Sequence, residues 1–201
     1  MIDADLRTRL GQFQLSARME DSGFICLVGK NGSGKTVLLK IIAGFTIPDE
    51  GYVRVNGLDV TRLPVESRGV VMVTPGSSIP HLQVDSHLLW GSKLNRVFHN
   101  GERIAKVKAE LGIDFAGRVS KLSLGMKERV ALATALLSSP KVILVDEAFS
   151  NLHSREEFMG SYRRLASEAG IDVVFTTQDP NDGLLSDHVY MMTEGTAKKI
   201  K

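Results

Sequence analysis

Three short stretches carry residue types at spacings that suit phosphate chemistry. Gly29-Lys30-Asn31-Gly32-Ser33-Gly34-Lys35-Thr36 reads "GKNGSGKT" and matches G-x-x-x-x-G-K-[ST] in full. Glycines so spaced let successive backbone N–H groups converge on phosphate oxygens, and the helix that follows adds a favourable dipole. Lys35 is placed as a point charge for the β- and γ-phosphates of a nucleotide, and Thr36 offers a hydroxyl to Mg²⁺. The second stretch, "VILVDE", ends in Asp146-Glu147. Asp146 suits Mg²⁺, directly or through water, and Glu147 suits an attacking water that must be oriented or deprotonated. Such an acidic pair also caps helices and says little alone; beside a complete phosphate cradle it says much more. In the third, "VVFTTQDPND", Gln178 stands at the carboxyl end of a β-branched and aromatic run, where α/β proteins bind ligands. Pro180 forbids the run from continuing as a strand.

These residues need strands to aim them and helices to cover the strands. "FICLV" before Gly29, "VILV" from Val142 to Val145 and the run at 173–177 read as buried parallel strands. "KTVLLKIIAG" places Leu38, Ile41 and Ile42 on one helical face and stops at Gly44. "MKERVALATALLSS" is apolar enough for a buried helix. "REEFMGSYRRLASEAG" sets Phe158, Tyr162, Leu165 and Ala169 on one face. Strands alternating with helices predict a mainly parallel sheet covered on both sides. Residues 1–22 alternate in places and predict an antiparallel sheet at the edge, and "YVRVNG" carries a hairpin turn at Asn56-Gly57. Residues 77–121 hold helical segments and predict an insertion between strands. The expected fold is α/β: a P-loop NTPase core with a mainly parallel sheet, an antiparallel β subdomain and an inserted helical subdomain, as one domain over residues 1–201.

Composition narrows the field. The chain has 201 residues, a net charge of +2 and a pI near 8.7, too mild a balance to imply nucleic acid. Cys26, the one cysteine, permits no intrachain disulfide, fits a reducing compartment and is expected to be a small buried hydrophobe. The opening "MIDADLRTRL" lacks the apolar core of a signal peptide, and no apolar run is long enough to span a bilayer.

"KLSLGMKERVALATALLSSPKVILVDEAFSNLH" resembles the signature segment of ABC transporter nucleotide-binding subunits running into their second acidic motif. Leu122-Ser123-Leu124-Gly125-Met126 is a variant of the LSGGQ motif, followed by Arg129 and an alanine-rich helix. "LLKIIAGFTIPDEGYVRVNGLDVT" and "RGVVMVTPGSSIPHLQV" look most like importer subunits, including the molybdate, tungstate and sulfate type. The resemblance implies an ATPase with ATP and Mg²⁺ as cofactors, peripheral on the cytoplasmic face of the cell membrane and bound to a permease. It also implies a two-fold dimer, identical or with a homologous subunit, in which each ATP lies between one P-loop and Ser123 and Gly125 of the other chain. Phe13 looks like the aromatic residue that stacks on adenine; its alternative is an edge-strand core residue. No C-terminal regulatory domain of the kind many importer subunits carry is expected.

Three positions depart from the family pattern. Pro75, or a neighbour in a shortened loop, replaces a glutamine that contacts Mg²⁺ and water; the Thr74 hydroxyl is the available substitute. His153 replaces the usual aspartate after "SNL". Gln178 replaces a histidine that contacts the γ-phosphate, keeping a hydrogen-bond donor but losing a proton that can be exchanged near neutral pH. These changes imply slow turnover or, as the alternative, a nucleotide-responsive module that scarcely hydrolyses. A soluble ABC-type ATPase acting on nucleic acid lacks its usual coiled-coil insertion, second cassette or basic arm here. His81, His87, His99 and His188 fall outside these motifs, lack metal-site spacing and are read as surface or loop residues.

Overall fold

The structure, a computed structural model, describes residues 1–94 and 101–201. The chain forms two compact units: residues 1–72, 141–146 and 172–201, and residues 73–140 and 147–171.

The first unit is built on strands β1 (Ile2–Leu10), β2 (Phe13–Asp21), β3 (Phe24–Val28), β4 (Glu50–Val55), β5 (Leu58–Asp59), β6 (Val70–Val73), β7 (Val142–Asp146), β8 (Asp172–Thr177), β9 (His188–Thr193) and β10 (Thr196–Lys199). They order as β5-β4-β1-β2-β10-β9-β3-β8-β7-β6. The β5-β4-β1-β2 half is antiparallel, and β9, β3, β8 and β7 pair in parallel. The Asn56-Gly57 turn joins β4 to β5 with both residues at positive φ, 51° and 79°, as predicted. The N-terminal hairpin is not at the edge, however: β1 lies between β2 and β4, and β5 takes the outside. A sheet edge is set by which later strand adds to the hairpin, and no local pattern in residues 1–22 encodes that.

β3 and β7 are buried along their whole length, which explains their unbroken apolar runs. Helix α1 (Lys35–Ala43) buries Leu38, Leu39, Ile41 and Ile42 completely and ends at Gly44 with φ 92°. At about 1.5–3 kcal/mol for each fully buried side chain, this face holds the N-terminus of α1 firmly beside β3. Cys26 is fully buried, and burial pushes its thiol up to about 12, so it is an inert packing residue as predicted.

The second unit holds α2 (Val84–Lys93), α3 (Gly101–Glu110), α4 (Leu124–Leu137) and α5 (Arg155–Glu168). α4 is buried on nearly all sides. On α5, Phe158, Tyr162 and Leu165 are buried as expected. Ala169 is not: it lies beyond the last turn and is exposed, and Met159 and Ala166 complete the apolar face. The helix stops one residue short of the periodic position.

His87 also corrects its prediction. It is 1% exposed on α2; Ile79 N–H donates to its Nε2 at 2.9 Å, and Nδ1 lies 2.8 Å from Thr134 Oγ1. Thr134 donates its own proton to Val130 O, so His87 Nδ1–H is the donor to Thr134 and the ring is neutral. Burial holds its pKa below the usual histidine value. His188 is a half-buried β9 residue paired with Asp21 at 3.2 Å, so only His81 is an exposed loop residue as expected; His99 lies outside the described residues.

Candidate active site

The P-loop connects β3 to α1, and its shape is a backbone property. Gly32 and Gly34 take φ of 77° and 105°, which side chains resist. A Cβ on Gly34 would also lie 2.8 Å from Phe13 Cζ. Lys35 is 4% exposed, and its ammonium donates to Gly29 O at 2.7 Å and Lys30 O at 3.1 Å, crossing the loop it belongs to. Ser33 Oγ is buried with no hydrogen-bond partner among the described residues. A buried hydroxyl left unpaired is costly, and the glycine-rich turn around it is of the type whose backbone N–H groups form an anion-binding concavity. The sequence-predicted set Gly29, Lys30, Asn31, Gly32, Ser33, Gly34, Lys35 and Thr36 thus forms one loop and the first residues of α1. Phe13 borders it, partly buried and packed against the sheet core.

Asp146 ends β7, 8% exposed, and its Oδ1 accepts from Thr36 Oγ1 at 3.1 Å and Thr176 Oγ1 at 2.8 Å. A hydroxyl and a carboxylate brought together are hard oxygen donors of the type Mg²⁺ takes, so the residues fit that ion. Thr176 was not singled out in the sequence. Successive strand residues point to opposite faces, so Thr176 reaches Asp146 while Thr177, also a hydroxyl, reaches Asp182 Oδ2 at 2.5 Å. The doubled threonine at a strand end was the available signal. Gln178 follows, exposed, and the strand stops before Pro180 as predicted. Asp179 then accepts from Asn181 N–H and starts a 3-10 turn over residues 180–185.

The remaining motif residues belong to the second unit. Glu147 directly follows Asp146 and takes φ 57°, a left-handed conformation costing about 1–3 kcal/mol in a non-glycine residue. Its carbonyl accepts from Ser150 N–H, closing a turn. Ser123 caps α4, its Oγ accepting from Met126 N–H at 3.3 Å, and is exposed. A Cβ on Gly125 would come 2.9 Å from Asn151 O, so glycine is what lets the loop approach the helix. One turn on, Asn151 Nδ2 donates to Glu128 Oε1 at 2.9 Å, and Arg129 donates to His153 O and to Leu111 O. Glu128 is 2% exposed with Oε2 unpartnered, and burial raises its pKa above the ordinary glutamate value. Neither Glu128 nor Asn151 was legible as a pair, being 23 residues apart. Thr74, Pro75, Gly76 and Ser77 form a tight turn with Gly76 at φ 91°, the pattern of a type II turn with proline second and glycine third. Thr74 N–H and Oγ1 are both engaged by Ser77 Oγ, so the candidate substitute hydroxyl is tied into this turn.

Residues 13–150 match the profile of the ABC transporter family. The spermidine/putrescine import ATP-binding protein PotA of Hahella chejuensis is 36% identical over 98% of this chain and 55% of its own length. The molybdate/tungstate import ATP-binding protein WtpC of Archaeoglobus fulgidus is 34% identical over 93% of this chain and 81% of its own. The chain therefore spans little more than half the length of the polyamine relative. Among solved structures, a dimeric bacterial ABC transporter cassette superposes with a TM-score of 0.81 at 23% identity, covering 100% of this chain and 98% of that one. An ATP-binding subunit of an ABC transporter gives a TM-score of 0.82 at 17% identity, over 100% of this chain and 90% of that one. With the family profile matched over residues 13–150 and a relative 34% identical over 93% of this chain and 81% of its own length, this protein belongs to the ABC transporter family.

Proposed function

We propose that the chain binds Mg-ATP at Gly29–Thr36 and hydrolyses it slowly, as the ATP-driven subunit of a membrane importer. The observation that carries this is the meeting of Thr36, Asp146 and Thr176 beside a P-loop whose Ser33 hydroxyl is buried and unpaired. Lys35 would bind the β- and γ-phosphates, Thr36 and Asp146 would hold Mg²⁺, and the ion would supply charge neutralisation. Phe13 would stack on adenine, Glu147 would orient water, and Gln178 would donate an amide N–H to the γ-phosphate. In a two-fold dimer, with itself or a homologous cassette, Ser123 and Gly125 would face the partner's ATP.

Two observations favour slow turnover. Pro75 and Thr74 are committed to a turn, and Gln178 cannot exchange a proton near neutral pH. A positioned acid or base contributes about 10²–10⁴-fold in many enzymes, and less where positioning dominates, as in phosphoryl transfer. Gln178→His is expected to raise turnover and leave ATP affinity nearly unchanged. Brisk wild-type hydrolysis indifferent to that substitution defeats this role. No detectable hydrolysis in either protein, with tight ATP binding, favours a nucleotide-responsive module paired with an active homologue.

The site lies on residues 1–201 as a single cassette, docked on the cytoplasmic face of a permease through the segment near Ser77 to Trp90. No helix among the described residues is long and apolar enough to cross a membrane. Charge substitutions at Ile79 and Leu82 should abolish co-purification with that permease, and an intact complex would move the surface elsewhere. The relatives are named for different solutes, and their names select none for this chain.

A further inference from the structure

Thr177 is the last residue of β8, 3% exposed, and three hydrogen bonds meet on it. Its carbonyl accepts from Gly29 N–H, the first residue of the P-loop, at 3.2 Å. Its hydroxyl donates to Asp182 Oδ2 at 2.5 Å and accepts from Asp179 N–H at 3.0 Å. The residues on both sides of Gln178 are therefore fastened to one hydroxyl, and that hydroxyl's residue is fastened to the cradle. Asp182 is 4% exposed and plays no part in the chemistry described above. Burying a carboxylate is costly unless hydrogen bonds compensate. The turn does not need it as a cap, because Asp179 already accepts from Asn181 N–H at 3.0 Å.

We infer that Thr177 and Asp182 are a positioning pair that fixes the direction of Gln178 relative to the P-loop. This rests on the reading of Gln178 as the γ-phosphate contact. A carboxylate acceptor strengthens the bond from the Thr177 hydroxyl and fixes its rotor, so the same oxygen presents its lone pair to Asp179 N–H. With the rotor free, Gln178 loses the restraint on its carboxyl side. Misplacement by about 1 Å is enough to cost up to roughly a hundredfold in rate.

The test is single-turnover hydrolysis together with ATP affinity, on the full chain, for Thr177→Val and Thr177→Ser in the wild-type and Gln178→Ala backgrounds. Valine keeps the volume and removes both hydroxyl bonds; serine keeps both bonds. Thr177→Val is expected to slow hydrolysis roughly tenfold to a hundredfold with ATP affinity nearly unchanged, and Thr177→Ser to restore it. In the Gln178→Ala background, already slow, Thr177→Val should add nothing. A rate unaffected by Thr177→Val, or losses that simply multiply, overturns the inference while leaving Gln178 in its role. A normal rate in Gln178→Ala overturns the reading of Gln178, and the inference with it. If Thr177→Val fails to fold, Asp182→Asn decides: it keeps the shape, weakens the charge-assisted bond, and should give a smaller loss that again vanishes without Gln178.

Discussion

The P-loop and the loop at residues 147–154 each follow a buried strand, β3 and β7, yet they are held in opposite ways. The P-loop is held by its own backbone: positive φ at Gly32 and Gly34, the N-terminus of α1, and Lys35 bonding to carbonyls five and six residues back. The 147–154 loop is held by side chains from a helix more than twenty residues earlier. Gly125 admits Asn151 O, Glu128 holds the Asn151 amide, and Arg129 holds His153 O while lying 5.1 Å over the Phe158 ring. One loop is shaped mainly by its own residues, with single backbone bonds to Thr177 and Gly195; the other takes its shape from the first two turns of α4. A change in α4 should therefore be felt at 147–154, whereas the P-loop should answer to its own residues and to its backbone bonds with Thr177 and Gly195.

The largest effect expected is Lys35→Ala. It removes the charge assigned to the phosphates together with two bonds across the loop, while the positive φ of Gly32 and Gly34 remains. ATP affinity should fall by on the order of a hundredfold, from a charged hydrogen-bond contribution of about 1.5–3 kcal/mol per bond. Calorimetry would check this, and an unchanged affinity would break the assignment. The fold, read by far-UV circular dichroism, should be unchanged.

Arg129→Ala should do the reverse. It removes two charge-assisted bonds to carbonyls and a cation–π contact, and should destabilise the second unit by about 2–4 kcal/mol in denaturant unfolding. ATP binding to the P-loop should survive. If stability is unaltered, α4 does not hold the loop.

Gly34→Ala should cost about 1–2 kcal/mol from the left-handed backbone alone, with a further cost as the Cβ meets Phe13. A loss of ATP affinity larger than the loss of stability would sharpen the contrast, because it would show shape, not charge, being damaged.

The smallest effect belongs to Glu128→Gln. Burial raises the Glu128 pKa in the folded state, so its contribution to stability is fully present below the unfolded value. It is lost as pH rises through the raised folded value. Glutamine keeps the acceptor for Asn151 and does not titrate. At neutral pH the variant should equal the wild type or exceed it by less than about 1 kcal/mol, and the wild type should lose stability relative to it as pH rises. Parallel pH profiles for the two proteins would mean that Glu128 does not titrate with folding.

Much of this was legible from residue types. The P-loop, Asp146, the Asn56-Gly57 hairpin, the stop at Pro180 and the buried Cys26 all rest on constraints that act within a few residues. His87 was misread because a lone histidine on a helix carries no local sign of its partners; Ile79 and Thr134 are supplied by a loop and by α4. Ala169 was misread because α5 ends at Glu168, one residue before the last periodic position. The edge of the sheet was misread because strand order depends on which segments return to it.

What the sequence determined by itself is therefore the set of local devices: where glycine and lysine shape the loop at 29–36, where a strand ends in a carboxylate, and where a helix follows the Leu122–Met126 segment. φ restrictions, strand alternation and helix periodicity act over a few residues, so their consequences are written contiguously. What only the tertiary structure decided is which side chains meet at the ends of those devices. Thr176 with Asp146, Asp182 with the Thr177 hydroxyl, and Glu128 with Asn151 join residues that different elements bring together. Their pairing follows from burial, because a polar group removed from water must find a partner wherever the packing of the whole unit places one.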